Sequence, residues 1–280
     1  MTSIAQWQKQ AVRQLAGQGN PDAKPDADWM LCQTLNLGRG QLRLFGERAL
    51  MPEQCSALDA MLIRRMKGEP LQYILGNQPF MGLDFRVDSR VLIPRQDTET
   101  LCEAALEALK TMQAPEVLDL CTGSGALAVS ISRLCPGARV CASDLSPDAL
   151  TLARENARRL GAAVVFFEGD LFEPMKGRRF DLIVTNPPYI PREDLSALQA
   201  EVQREPRMAL DGGTDGLDFY RRIAREAPQY LKNGGLLMAE VGVGQAGEVK
   251  ALFDAALGGS GSILRDLCGI ERVVCARKMG

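Results

Sequence analysis

The sequence predicts an α/β protein with a mostly parallel sheet covered by helices on both faces, preceded by a small all-helical domain. Two observations support this fold class. From Val117 onward, short apolar runs alternate with segments of helical periodicity, and this alternation is typical of parallel strands joined by helical crossovers. Before residue 75 the patterns are helical only. A chain of 280 residues has room for one large domain, or for a medium and a small one.

Residues 1–72 are expected to form the helical domain. Apolar residues recur at helical spacing from Ile4, after Asp26, which we expect to cap a second helix, and from Pro52. This part contains no catalytic constellation, so we expect it to dock the substrate. A packing appendage without a function of its own fits the composition equally well.

The rest of the chain divides into a connector and a larger domain. Residues 73–94 are expected to form a β-hairpin connector, because Phe80 and Phe85 flank a turn at Gly82. The larger domain spans residues 95–280 and begins with a helix that Asp97 or Thr98 can cap. Its strands are expected at residues 117–121, 139–143, 164–167, 180–185, 235–241, 262–267 and 270–276. Its later helices are expected at residues 125–134, 147–160, 217–231 and 245–256.

The composition excludes several classes of function. The sequence has no histidine, which excludes histidine-dependent triads, histidine general bases and histidine metal sites. Its eight cysteines show no Cys-x-x-Cys spacing, so we expect free thiols in a reducing compartment and no metal site. Lysine plus arginine number 33 against 35 acidic residues, a net charge of −2, which gives no basis for stable nucleic-acid binding. No segment is long and apolar enough to span a bilayer, so we expect no membrane association and a cytoplasmic location.

A glycine-rich turn is predicted between the strand at 117–121 and the helix that follows it. Gly123 and Gly125 permit backbone angles and a close approach that side chains would block, and N–H groups at the start of the helix would face a ligand. Asp144 ends the next strand, where its carboxylate can accept hydrogen bonds from both hydroxyls of a ribose. The alternative role for Asp144 is the N-cap of the next helix. These features predict a nucleoside ligand whose identity is open, because a dinucleotide fits the same glycine spacing.

The Asn-Pro-Pro-Tyr motif comprises Asn186, Pro187, Pro188 and Tyr189. It follows a buried strand at the end where open α/β sheets bind ligands. Asn186 can offer its side-chain oxygen and Pro187 its carbonyl to the two N–H groups of a planar nitrogen, on which Tyr189 can stack. These acceptors favour the pyramidal geometry in which the nitrogen attacks a methyl group. The motif therefore predicts methylation of a carboxamide or an exocyclic amine without a general base, with Asn186, Pro187 and Tyr189 as catalytic residues.

Taken together, these stretches resemble the HemK/PrmC family, the class I methyltransferases with a Rossmann-like fold that methylate the glutamine N5 of peptide chain release factors. The resemblance covers nearly the whole chain. Each motif alone is a weak indication of the family, but all of them together in this order are specific to it. The stretches that carry it are residues 69–76, 93–99, 119–125, 144–150, 169–172, 186–189, 205–206, 209–210 and 215–221.

The resemblance implies a cofactor, a substrate and a set of site residues. S-adenosylmethionine would bind to Cys121, Thr122, Gly123, Ser124 and Gly125. Asp144 would hold its ribose, Leu171 would lie beside its adenine, and Asn186 would lie near the methyl donor. The target glutamine would sit on Asn186, Pro187, Pro188 and Tyr189. The helical domain would dock a class 1 peptide chain release factor, whose Gly-Gly-Gln loop reaches the cleft of a monomeric enzyme.

Three positions depart from the family pattern, and three other functions stay open. Cys121 stands where the family often has glycine, Gln96 where it usually has proline, and Leu171 where it sometimes has an aromatic residue. The alternatives are N5-glutamine methylation of a ribosomal protein, adenine N6 methylation of nucleic acid, and a non-enzymatic protein that binds S-adenosylmethionine. The net charge and the lack of an added target-recognition domain disfavour the nucleic-acid substrate.

Overall fold

The computed structural model describes residues 2–280 and divides them into two compact units. The first contains the chain up to Gly76 together with Ala200–Arg204, and the second contains Asn77–Gln199 and Glu205–Gly280. Within residues 2–280, no helix is long and apolar enough to cross a membrane. The cysteines in this range are all free thiols.

The first unit is built from five helices. They are α1 (Ile4–Gly17), α2 (Ala23–Leu35), α3 (Arg39–Leu44), α4 (Pro52–Met66) and α5 (Leu71–Leu75). The longer helices bury one apolar face each, and the shared core includes Trp7, Leu31 and Leu58. The predicted cap at Asp26 is wrong, because α2 begins earlier and the Asp26 carboxylate instead accepts a 2.6 Å hydrogen bond from buried Arg65.

The second unit begins with a hairpin and one helix, followed by alternating strands and helices. The hairpin pairs β1 (Asn77–Phe80) with β2 (Leu83–Arg86) and precedes α6 (Asp97–Leu109). The remaining strands are β3 (Glu116–Leu120), β4 (Arg139–Asp144), β5 (Val164–Glu168), β6 (Phe180–Thr185), β7 (Leu231–Glu240), β8 (Ser262–Arg265) and β9 (Glu271–Arg277). The remaining helices are α7 (Ala126–Leu134), α8 (Pro147–Leu160), α9 (Asp218–Tyr230) and α10 (Ala246–Leu257).

The strands form one seven-stranded sheet in the order β5-β4-β3-β6-β7-β9-β8. The first five strands in this order are parallel, and β9 runs antiparallel to both β7 and β8. The predicted fold class, a mostly parallel sheet with a helical region before it, is therefore confirmed.

Side chains that alternate along the strands build a core on each face of the sheet. In one register row, Leu118, Ile183 and Leu237 are aligned across β3, β6 and β7 and pack with residues of α9 and α10. The neighbouring row starts at Val117 and packs on the opposite face with residues of α6 and α7. Helices on both faces explain why these strands are continuous apolar runs.

The strand order reverses between β3 and β6, and this reversal places the site. Chain connections run outward from β3 through β4 to β5 in one direction, and from β6 to β7 in the other. Leu120 and Thr185 are paired at the carboxyl ends of β3 and β6, and the Thr185 hydroxyl donates to the Leu120 carbonyl at 3.0 Å. A crevice opens at such a switch point, so the segments after both strands meet at one edge of the sheet.

Candidate active site

The glycine turn, residues 121–125, connects β3 to α7 through three residues in the left-handed region. Cys121, Gly123 and Gly125 have φ values of 58°, 53° and 82°. A Cβ on Gly125 would lie 3.2 Å from the Ala153 Cβ, so only glycine fits without a shift of α8. The sequence predicts a close approach at this turn. At Gly125 it is an approach of α7 to α8, in addition to the approach of the turn to the expected ligand.

Buried Asp119 ties this turn to the helix that follows. Its Oδ2 accepts a 2.6 Å hydrogen bond from the Thr122 hydroxyl and a 3.2 Å bond from the Ala128 N–H. The second oxygen, Oδ1, has no partner among the described residues. Burial raises the pKa of the Asp119 carboxyl from its ordinary value of 3.8 to about 7. The predicted cofactor residue Thr122 therefore has its side chain turned inward, where it supports the turn.

Asp144 lies at the end of β4 with its carboxylate against the glycine turn. Its Oδ2 accepts a 2.8 Å bond from the Gly123 N–H and its Oδ1 a 2.9 Å bond from the Ser146 N–H. Burial raises the pKa of this carboxyl, and the backbone donors oppose that effect. The N-cap of α8 is Ser146, which accepts from the Ala149 N–H. Asp144 is thus not the helix cap, and each of its oxygens keeps acceptor capacity for a ligand.

The Asn-Pro-Pro-Tyr motif leaves β6 and is held from behind through Asn186. The Asn186 Nδ2 group donates to the Thr98 hydroxyl at 3.2 Å, which turns the side-chain oxygen away from Thr98. The cap predicted at Asp97 or Thr98 is wrong, because Gln96 precedes α6 and no side-chain cap bond forms. Thr98 is buried instead, where its hydroxyl is available to the motif.

Tyr189 is fixed by its backbone and by its hydroxyl. The Gln245 amide nitrogen donates to the Tyr189 carbonyl at 2.9 Å. The Tyr189 hydroxyl lies 3.5 Å from Oε1 of Glu240, a buried residue at the end of β7. Burial together with the Glu240 charge raises the pKa of the Tyr189 phenol well above its ordinary value. Tyr189 therefore stays a neutral donor at physiological pH.

Three glycines enclose the backbone and ring of Tyr189. A Cβ would lie 2.7 Å from the Tyr189 Cα at Gly212, 2.3 Å from its carbonyl oxygen at Gly216, and 3.1 Å from its ring Cδ2 at Gly242. Side chains at the first two positions would displace the motif, and one at Gly242 would crowd the ring. The sequence shows the glycines but not which residue they surround.

A cavity of about 630 Å³ opens at this edge of the sheet. Six of the predicted site residues line it: Cys121, Gly123, Asp144, Leu171, Asn186 and Pro188. The other predicted residues, Thr122, Ser124, Gly125, Pro187 and Tyr189, support the same two segments. The structure thus brings the two predicted halves of the site, the turn with Asp144 and the motif, into one cavity.

Leu171 reaches the cavity in a left-handed conformation, with φ 49°. The Ser143 hydroxyl at the end of β4 donates to its carbonyl at 3.0 Å and so holds it beside Asp144. The side chain is buried, which gives an apolar contact surface next to the predicted ribose position.

Sequence reasoning missed several residues at this site. Glu240 and Gln245 contact the motif from β7 and the segment after it, and Arg222 and Phe219 line the cavity. One signal was present: Glu240 is an acidic residue that ends an apolar strand, at the same sheet edge as Asp144 and the motif. Nothing in the sequence links Gln245 to Tyr189, because tertiary folding alone brings them together.

The doubly wound sheet, the glycine turn and the motif at its switch point define a Rossmann-like methyltransferase domain. A methyltransferase from Pyrococcus furiosus shares this fold, with a TM-score of 0.52 at 18% identity over 71% of this chain and 91% of that one. Residues 6–76 match the PrmC N-terminal domain and residues 97–214 match the methyltransferase small domain.

Full-length relatives extend the similarity over nearly the whole chain. The release factor glutamine methyltransferase of Geobacter sulfurreducens is 49% identical over 264 residues, which cover 94% of this chain and 92% of that protein. The one from Moorella thermoacetica is 46% identical over 248 residues, 88% of each chain. The chain belongs to the release factor glutamine methyltransferase family, and it is an enzyme. The resemblance noted in the sequence is thereby confirmed.

Proposed function

We propose that this enzyme transfers a methyl group from S-adenosylmethionine to the side-chain N5 of the glutamine in the Gly-Gly-Gln loop of a class 1 peptide chain release factor. The observation that carries the proposal is the orientation of Asn186. Its NH₂ group is engaged by Thr98, so its oxygen is left as an acceptor at a cavity that Asp144 and Gly123 also line.

The residues present fit S-adenosylmethionine. The cavity of about 630 Å³ is within the range of sites for ligands of this size. Asp144 would accept hydrogen bonds from the ribose hydroxyls, and Leu171 would supply apolar contact to the adenine. When bound, the cofactor supplies an electrophilic methyl group on a sulfonium.

The motif would bind the acceptor amide and activate it. The Asn186 side-chain oxygen and the Pro187 carbonyl would accept hydrogen bonds from the two N–H groups, while the Tyr189 ring would contact the planar amide. As the nitrogen becomes pyramidal its N–H groups become stronger donors, so these bonds strengthen in the transition state. The motif needs no general base for this activation, which agrees with a sequence that lacks histidine.

The identity of the acceptor rests on the relatives and on the first unit. Both full-length relatives are named for release factor glutamine methylation, and residues 6–76 match the domain that precedes the methyltransferase domain in that family. We assign docking of the release factor to this helical unit. Because release factors act at the ribosome, we place the enzyme in the cytoplasm.

The test measures transfer of labelled methyl from S-adenosylmethionine to a purified class 1 release factor. We expect one methyl group on the glutamine of the Gly-Gly-Gln loop and none on a factor whose loop carries Gln→Ala. Persistent transfer to that variant would overturn the acceptor assignment. Ribosomal protein and duplex DNA in parallel reactions serve as the alternative acceptors, and preferential methylation of either would replace the release factor in the proposal.

A further inference from the structure

Two segments that are far apart along the chain both line the cavity. One is the glycine turn, residues 121–125, through Cys121 and Gly123, and the other is residues 90–92, which follow the hairpin. The turn continues from a strand of the seven-stranded sheet, whereas β1 and β2 form a two-stranded sheet of their own. Strand pairing therefore does not set the position of residues 90–92 relative to the turn, and side chains have to do so.

Asn156 on α8 joins these two segments. It is buried, with an exposure of 0%. Its Oδ1 accepts a 2.8 Å hydrogen bond from the Arg86 N–H at the end of β2. Its Nδ2 group donates to the Arg86 carbonyl at 3.0 Å and to the Ser124 carbonyl of the glycine turn at 2.9 Å. One side-chain amide thus holds the backbone of the hairpin and the backbone of the turn together.

The partners of Asn156 allow only one orientation of its amide. A backbone N–H can only donate a hydrogen bond, and a backbone carbonyl can only accept one. If the amide were reversed, its NH₂ group would face the Arg86 N–H and its oxygen would face two carbonyls. Polar groups left unpaired in a buried place are costly. The position therefore requires an acceptor at one end and two donated hydrogens at the other, which a side-chain amide supplies.

The bond to Ser124 restrains the turn next to the cavity. The peptide between Ser124 and Gly125 is held at both ends, because the Gly125 N–H donates to the Thr122 carbonyl at 2.8 Å and the Ser124 carbonyl accepts from Asn156. Rotation of this peptide would break the bond at each end. Gly123, the residue before this peptide, lines the cavity. Asn156 therefore stabilises the backbone against which the cofactor would lie.

The bonds to Arg86 restrain the other segment. The amide engages both the N–H and the carbonyl of Arg86, as a neighbouring strand would, and the chain reaches the cavity at Arg90. Ion pairs also join α8 to this region, with Arg90 at 3.7 Å from Glu155 and Arg159 at 3.5 Å from Asp84. These side chains are partly exposed, and such pairs contribute little to stability. The buried amide is therefore the polar link that solvent does not weaken.

We propose that Asn156 is a positioning residue for S-adenosylmethionine. It ties residues 90–92 to the glycine turn and so holds the cavity at the width that the cofactor needs. It acts through backbone groups of Arg86 and Ser124, since within the described chain it is not one of the residues that line the cavity. The effect on the cofactor rests on the proposed function, whereas the link between the hairpin and the turn is a property of the protein alone.

The first test uses Asn156→Asp and Asn156→Leu, which keep the approximate size of the side chain. The aspartate keeps the acceptor for the Arg86 N–H but turns a second oxygen toward the two carbonyls, and the leucine removes all three bonds. In calorimetric titrations with S-adenosylmethionine, we expect each variant to raise Kd about tenfold, the effect of one lost hydrogen bond. At saturating cofactor, kcat with a release factor should fall by less than about threefold, because the acceptor side of the site is unchanged.

The matched control is Leu152→Ala, because Leu152 is a buried residue of the same helix. The space left by the smaller side chain should lower Tm, while Kd for S-adenosylmethionine stays near the wild-type value. If general weakening of α8 were the cause, the control would raise Kd as much as the Asn156 variants do, and this result would overturn the proposal. A wild-type Kd in both Asn156 variants would overturn it as well.

A measurement on the wild type decides the question even where the variants do not fold. Two amides of the hairpin are held by side chains, the Arg86 N–H by Asn156 and the Met81 N–H by Glu99 at 2.6 Å. Asn156 also bonds to the turn, whereas Glu99 lies on α6. We expect S-adenosylmethionine to slow hydrogen exchange of the Arg86 amide about tenfold and to leave that of the Met81 amide nearly unchanged. Equal effects on the two amides would contradict the link.

The same experiments separate this proposal from the function on which it rests. A wild type that binds no S-adenosylmethionine in the calorimeter contradicts the proposed function. In that case the ligand-free protein still tests the link, because the Arg86 amide should exchange faster in Asn156→Leu than in the wild type. Equal exchange of this amide in the two proteins would overturn the role of Asn156.

Discussion

At the scale of single residues, we expect methyl transfer to depend most on the side chain of Asn186. Its oxygen is a preorganised acceptor whose other end is already engaged by Thr98. Asn186→Ala removes that acceptor and leaves the backbone of the motif in place. Loss of one preorganised polar partner in an active site costs about 3 kcal/mol, roughly a hundredfold in rate. Single-turnover transfer at saturating cofactor should show this loss, and a rate within threefold of wild type would rule out the role.

Cys121 gives a prediction about stability at the same scale. Its φ of 58° is a conformation that costs about 1–2 kcal/mol for a residue with a Cβ. Cys121→Gly removes this strain, whereas Cys121→Ala keeps the strain and loses the thiol. We therefore expect the glycine variant to be more stable than the alanine variant by about 1 kcal/mol, the reverse of the usual order. Urea unfolding of the two variants measures the difference, and an alanine variant of equal or greater stability contradicts it.

The site residues that the sequence predicts are recognisable from their local strand pattern. The residues that it does not predict contact the site from positions far away along the chain. Asp144 ends an apolar strand and Asn186 directly follows one, so the strand pattern alone places both at the carboxyl-terminal edge of the sheet, where open α/β sheets bind ligands. Thr98 lies 88 residues from Asn186, and Gln245 lies 56 residues from Tyr189. No local pattern encodes such contacts. The sequence therefore predicts the residues that line the cavity better than the residues that hold them in place.

At the scale of secondary-structure elements, the parallel strands were the most predictable part of the fold. The strand predicted at residues 180–185 and the helix predicted at 217–231 agree with β6 and α9 to within one residue at each end. The strand predicted at residues 235–241 begins four residues earlier, because Leu231 already pairs with Phe180 across an irregularity in the register. Glycines at 234 and 235 masked that extension, since glycine is typical of turns as well as of strand irregularities.

The loop that packs on the motif yields a prediction with a matched control. Gly216 has φ 79°, and a Cβ there would lie 2.3 Å from the Tyr189 carbonyl oxygen and 2.6 Å from the Gln245 amide nitrogen. Gly234 has φ 77°, yet nothing lies within 4 Å of its Cβ position. Both alanine variants carry the left-handed cost of about 1 kcal/mol, but only Gly216→Ala must also displace the motif.

We therefore expect Gly216→Ala to lower the rate of methyl transfer at least tenfold and Gly234→Ala to leave it unchanged. Thermal unfolding should show a small loss in Tm for Gly234→Ala and a loss at least twice as large for Gly216→Ala. Equal effects of the two substitutions on rate and Tm would mean that the loop does not constrain Tyr189.

At the scale of the whole molecule, carboxyl groups of two kinds give stability opposite dependences on pH. Arg221 lowers the pKa of exposed Asp215 to about 2, so its contribution is present above pH 4 and is lost as the pH falls toward 2. Asp119 and Glu240 are buried beneath the site, and burial raises the pKa of each to about 7. Near neutral pH the two buried carboxyls at the site therefore lower the free energy of unfolding, whereas the ion pairs on the surface raise it.

The sign of the Asp119 contribution follows from which state keeps its proton. Well below pH 4, under its ordinary pKa of 3.8, the carboxyl is neutral in both states. As the pH rises further the unfolded chain loses this proton while the folded protein keeps it, so the free energy of unfolding falls until the pH passes about 7. Between pH 5.5 and 8 the expected loss is roughly 2 kcal/mol. Asp119→Asn removes the titration, so this variant should lose less stability than wild type over the same interval.

This prediction needs a measurement of the free energy of unfolding of the second unit, which contains Asp119. Both tryptophans, Trp7 and Trp29, lie in the first unit, so their fluorescence does not follow the sheet. Hydrogen exchange of the β3 and β6 amides, corrected for the intrinsic effect of pH, gives the free energy of opening where Asp119 resides. The control is Asp194→Asn, which changes an exposed aspartate of the same unit and should follow the wild-type pH dependence. If Asp119→Asn loses as much stability as wild type between pH 5.5 and 8, Asp119 is already ionised in the folded protein at pH 5.5.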